Sequence, residues 1–301
     1  MASDAVDAGK ERPHWLKAWQ FPLVAMVVAA LILLACAAAV SFLASPDFTG
    51  LDRPHATVLF AVALVLLCLI AYKFVIRRLG RKQHDDLPLD ARALHDTALG
   101  FGGGAVLISI CVGLAALSGV YSIEGSDSFG DWMQIVFLFG LYAGFFEELL
   151  LRGVVFRWVE ELAGTWIALA ISSLLFGFGH AGNANATFFS SLAIAIEAGI
   201  LLGAAYILTR SLWLAIGLHA GWNVVQALWD VPVSGNPTEG PIAATLEGPP
   251  LLAGGGFGLE ATVFALAVAT SAGVWLLWLA VKRGRIVKPM WSRKGAPITA
   301  Y

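Results

Sequence analysis

Residues 21–44 read FPLVAMVVAALILLACAAAVSFLA, an apolar run without a single charged side chain. At the helical rise, a run of this length spans about 36 Å, more than the hydrocarbon core of a bilayer at about 30 Å. It also exceeds the apolar part of a secretory signal, about 7–15 residues, and so reads as a membrane anchor, although Lys10, Arg12 and Lys17 precede it. The same signature recurs outward along the chain, at residues 57–76, 99–120, 132–151, 165–180, 188–209, 211–229 and 259–281. The fold class that follows is an all-α polytopic membrane protein with about eight transmembrane helices.

Composition supports this reading. Hydrophobic residues make up 58 % of the 301 and charged residues 13 %, where soluble chains carry about 25 % charged, and the mean hydropathy is +0.78. A water-soluble enzyme is excluded. A net charge of −2 leaves no basic excess to neutralise phosphates, so no nucleic-acid partner is expected. Cys36, Cys68 and Cys111 all lie in apolar runs without CxxC spacing, which suggests neither a disulfide framework nor a thiolate metal site.

The basic residues set an orientation. All 19 except Arg53 fall in the amino-terminal tail, residues 73–92, Arg152 with Arg157, Arg210, or the tail after Val281. The intervening loops carry Asp47, Asp52, Glu124, Asp127, Asp131, Asp230, Glu239, Glu247 and Glu260. The positive-inside rule therefore puts both termini in the cytoplasm, and Trp19, Trp132, Trp166, Trp213 and Trp229 sit where an aromatic belt belongs. Residues 231–258, rich in Pro and Gly, read as a flexible external loop, with a lid over a cavity as the alternative. The chain divides into an amino-terminal part with three helices (1–131), a core (132–230), and a loop, helix and basic tail (231–301).

Ionisable groups within spanning helices are costly and mark candidate sites. They are Glu147, Glu148 and Arg152, then His180, Glu197, and His219 with the polar Asn223, all within the core. Glu148 and Arg152 have the i,i+4 spacing of an intrahelical ion pair, whereas Glu147 points about 100° away on an α-helix. His219 and Asn223 share a face flanked by Gly217 and Gly221, which admit a close neighbouring helix, and the Gly199 and Gly203 pair reads as packing too. Phe176 lies one turn before His180. If the helix continues past Glu148 and reverses near Gly164, Glu147 and His180 face each other about 24 Å from that turn. In the alternative, residues 152–162 lie along the membrane surface and Glu147 is shallower. Glu197 is either an accessory polar group or a partner for one nearby.

These residues, in this order, resemble the CAAX prenyl protease and bacteriocin-processing family of intramembrane proteases, also called the CPBP or Abi family. The family's EExxxR appears as Glu147, Glu148 and Arg152 in EELLLRG, its FxxxH as Phe176 and His180 in FGFGH, and its HxxxN as His219 and Asn223 in HAGWN. The match covers residues 141–230. It implies a CPBP-type helical bundle, peptide-bond hydrolysis at the membrane, and Glu147, Glu148, Arg152, His180, His219 and Asn223 as the catalytic set. Amide hydrolysis needs a base for water and donors for the oxyanion. Glu147 is the candidate base, His180 positions the water or acts as an acid, His219 and Asn223 donate to the oxyanion, and Arg152 orients the acids.

A Zn²⁺ shell of Glu147, His180 and His219 with an open position is one alternative. With no HExxH present, metal-free chemistry is the expectation. The partners expected are the bilayer and a peptide or membrane-protein substrate, a signal-like leader rather than a prenylated tail, because the compact chain with short loops reads as a bacterial inner-membrane protein. Two other classes use the same residues. One is a non-catalytic peptide-binding protein, such as a bacteriocin immunity protein or scaffold. The other is a proton-coupled transporter, against which the lack of internal repeats counts. Reporter fusions after Asp127 and Pro241 are expected to report an external position and those after Lys82 and Lys294 an internal one; a cytoplasmic signal at Pro241 refutes this topology.

Overall fold

The computed structural model describes residues 19–80, 84–237 and 239–293. Lys10, Arg12, Lys17, Arg81, Lys82 and Lys294, which enter the charge count, lie outside the described residues. The elements run α1 (Pro22–Leu43), α2 (Arg53–Phe74), α3 (Ala91–Leu117), β1 (Tyr121–Ser126), α4 (Gln134–Ala163), α5 (Thr165–Gly179), α6 (Phe188–Thr209), α7 (Trp213–Leu228), β2 (Ile242–Leu246) and α8 (Val263–Lys282). The protein is an all-α polytopic membrane protein with a single two-stranded ribbon among its described residues.

Among the described residues seven helices, all but α7, are long and apolar enough to cross a membrane, where eight were expected. The exception has 16 residues and buries most of them. It is apolar because it is enclosed by protein, and hydropathy alone does not separate that case from exposure to lipid. Burial sorts the remainder: 72 % of the apolar window of α6 is buried, against 22 % in α1 and in α8. Peripheral helices show lipid-facing rows such as Leu31 and Leu34, or Val274 and Trp275.

Glycines hold α7 at the centre. A Cβ on Gly217 would stand 2.2 Å from the Thr97 carbonyl oxygen and one on Gly221 2.1 Å from that of Phe101. Across the same seam, Cβ atoms on Gly100 and Gly104 of α3 would meet the carbonyls of Leu214 and Leu218 at 2.4 and 2.2 Å. Two small-xxx-small faces thus interlock with backbone on backbone, the contact that lipid-embedded helices use in place of hydrophobic driving force. The Gly199 and Gly203 pair likewise admits Ser173 and Leu169 of α5 against α6.

The helix α4 departs from the α-geometry assumed above. It is π-helical over Gln134–Glu147 and Leu149–Phe156 and α-helical only over Arg157–Ala163. Such i→i+5 stretches are a single turn long in most helices and concentrate at functional sites. The helix nevertheless runs unbroken to Ala163, so residues 152–162 do not form a separate surface helix. Gly164 reverses the chain at φ 85°, and Thr165 closes the corner, donating from Oγ1 to Glu160 Oε1 (2.5 Å) and accepting at Oγ1 from Val287 N (2.8 Å). At the same end of the bundle, Asp86 is buried among Tyr72, Tyr206 and Arg157, at 2.8, 2.7 and 3.2 Å. A carboxylate there has its charge and lone pairs satisfied, which burial requires.

The described part of the Pro/Gly-rich segment after α7 folds onto the bundle, where a flexible loop was the expectation. β2 pairs antiparallel with β1, Asp230 Oδ2 accepts from Ala244 N at 2.8 Å, and Tyr121 Oη donates to the Trp229 carbonyl at 2.8 Å. Val231, Val233, Phe257 and Leu259 are buried. Glycine here supplies fixed turns: Gly235, at φ 86°, lies so near Ala184 that a Cβ would be 1.9 Å from its carbonyl oxygen. In detergent, Gly221→Ala is expected to lose about 1–3 kcal/mol by overpacking, read as a lowered melting temperature. Gly102→Ala, on α3 with nothing within 4 Å of the added carbon, is the control that should not lower it.

Candidate active site

The side chains singled out above come from four helices. α4 supplies Glu147, Glu148 and Arg152, the carboxyl end of α5 supplies Phe176 and His180, α6 supplies Glu197, and α7 supplies His219 and Asn223. Glu148 and Arg152 are fully buried and joined at 2.8 Å from Arg152 Nη1 to Glu148 Oε1. The same oxygen accepts from His219 Nδ1 at 3.0 Å. The spacing foretold the first bond; the second required the fold, because α4 and α7 are 71 residues apart at that contact.

Glu147 has the other fate. Its Oε2 lies 3.9 Å from His180 Nε2, across the α4–α5 hairpin, and its side chain keeps 26 % of its accessible surface. His180 Nδ1 is 2.8 Å from the Phe176 carbonyl oxygen. That oxygen can only accept, so Nδ1 carries the proton and the Nε2 of a neutral ring presents a lone pair. Phe176 separates the two imidazoles, with ring centroids 5.0 Å from His180 and 5.6 Å from His219, and the Arg152 guanidinium lies 4.6 Å from the same ring. Asn223 Nδ2 donates to the Phe139 carbonyl of the π-helical stretch at 3.2 Å, which leaves its second hydrogen available.

A cavity adjoins this array. Its volume is about 30 Å³. His180, Glu197, His219, Asn223, Ser234 and Glu260 give its polar wall, and α5, α6, α7 and α8 surround it. Glu147 stands beside His180 rather than among the lining residues, so the space is shifted by one helix from a cavity between α4, α5, α6 and α7. The loop closes it: Ser234 N donates to Glu260 Oε2 at 2.5 Å. Glu260 and Ser234 escaped the sequence reading because an acid at the start of an apolar segment looks like an ordinary loop charge; apolar residues on both sides, in GFGLEATVF, were the available signal.

The residues do not fit a three-ligand metal shell. The acids and imidazoles pair off as Glu147 with His180 and Glu148 with His219. Among the described residues no three His, Cys, Asp or Glu gather closely enough to hold an ion.

This is a polytopic helical membrane protein with its motif residues gathered in a polar array inside the bundle. Residues 129–225, which contain every motif position, match the family model described as type II CAAX prenyl endopeptidase Rce1-like, in keeping with the resemblance of the motifs. No curated protein and no solved structure matches the chain. Removing Arg152 would strand a buried carboxylate. Arg152→Ala is therefore expected to cost about 3–5 kcal/mol, measured as thermal unfolding in detergent, and parent-like stability would show that the pair does not hold α4.

Proposed function

We propose that the chain is an intramembrane endopeptidase, hydrolysing a peptide bond of a membrane-associated or leader-peptide substrate with a water activated by Glu147. One observation carries the reading: of two adjacent carboxylates, Glu148 is engaged by Arg152 and His219, while Glu147 has its ion-pair contact with His180, at 3.9 Å. A neutral His180 offers a lone pair at Nε2 and Glu147 offers carboxylate oxygens, so both accept. A water between them, with legs of about 2.8 Å, donates one proton to each and turns its own lone pair towards the substrate carbonyl.

As the water oxygen bonds to the carbonyl carbon, Glu147 takes its proton as general base. The oxyanion that forms is stabilised by the free Asn223 N–H and by His219 Nε2–H in the protonated ring, whose Nδ1–H is already held by Glu148. When the C–N bond breaks, the proton returns to the departing amine, and the carboxylate is regenerated. Glu148 and Arg152 are positioning residues here. The carboxylate fixes the orientation of His219, as a buried acid does for the imidazole of a hydrolytic triad. In its membrane the protein has both termini on the cytoplasmic side, and the loop bearing β2 lies opposite.

The test is cleavage of a peptide library by full-length protein purified in detergent. Glu147→Gln is expected to lower turnover by about 10²–10⁴-fold with an unchanged melting temperature. Turnover equal to the parent's would overturn the assignment of the base.

A further inference from the structure

The cavity beside the motif residues carries more acid than hydrolysis uses. Glu197, 1 % exposed, and Glu260, 5 % exposed, both line it. Glu260 is held by the Ser234 backbone N–H, but Glu197 Oε2 is buried without any hydrogen-bond partner. A partnerless buried carboxylate costs several kcal/mol, and the lining includes no Lys or Arg to compensate it. The remaining wall is aliphatic and aromatic, from Leu201, Leu202, Leu218 and Trp222. Apolar walls ending in unpaired acid match a long alkyl stem with a cationic tip, the form of a lysine side chain.

We infer that this cavity is a subsite for a basic side chain of the peptide substrate, with Glu197 and Glu260 as its counter-charges. The inference rests on the proteolytic reading for the word substrate, and it deepens that reading by naming a specificity. His180 and His219 line the same cavity, so a lysine seated there places its own backbone next to the hydrolytic residues. The acids are specificity determinants and take no part in bond breaking. Glu260 reaches the site on the segment that also carries Ser234, so the loop over the bundle shapes what the site accepts.

Binding and cleavage separate the two claims. The probes are acetylated tetrapeptide amides, identical in pairs except for lysine or its uncharged isostere norleucine at each position in turn. Their affinities are measured by thermal stabilisation of full-length Glu147→Gln protein in phosphatidylcholine-doped detergent. Lysine is expected to win at one position by at least about tenfold. Adding Glu197→Gln should bring that preference near unity, and Glu260→Gln should reduce it, neither with a lowered melting temperature without peptide. Equal binding of lysine and norleucine at every position, or a preference that survives both substitutions, overturns the subsite. So does a lysine preference that vanishes when phosphatidylethanolamine replaces phosphatidylcholine, because the cation would then be a lipid amine. Cleavage by the parent without lysine preference would leave the protease standing and remove the subsite, whereas lysine binding that depends on Glu197 in a protein that cleaves nothing would do the reverse.

Discussion

One oxygen atom ties the site together. Glu148 Oε1 accepts from Arg152 Nη1 of its own helix and from His219 Nδ1 of α7, and all three side chains are buried. Inside a low-dielectric bundle an ion pair is tolerated only when its geometry is good and its lone pairs are used. That demand fixes the rotation of α4, and Glu147, next in the chain, is thereby turned to the α5 side and towards His180. The division of labour between neighbouring acids follows from which of them is spent on packing.

The Glu148 link works because α7 is held where His219 can reach it. Its glycines lock backbone to backbone with α3, and α4 approaches from the other side with Gly144 against Ala220 and Ile216. Each contact trades side-chain volume for proximity, the exchange that membrane interiors favour because lipid tails already satisfy apolar surface. The short buried α7 and the π-helical α4 are consequences of this crowding at the centre, and the longer helices around them supply the lipid-facing surface. On the opposite side of His180, the loop between α7 and α8 folds inward, bringing Glu260 and Ser234 to the cavity.

By itself the sequence determined the class of the protein, the span of most helices, the motif residues and the ion pair of Glu148 with Arg152. Those properties are local, set by runs of apolar residues and by the i,i+4 geometry of one helix. The facing of Glu147 and His180 was one of two arrangements the sequence allowed, and the unbroken α4 with its turn at Gly164 selects it. The tertiary structure alone decided that α7 is enclosed rather than lipid-facing, that His219 binds Glu148, that the Pro/Gly-rich segment folds onto the bundle, and that Glu197 and Glu260 share a cavity. The reason is common to all four. Each depends on which residue distant in the chain fills the space beside a given face, and hydrophobicity reports only that the face avoids water.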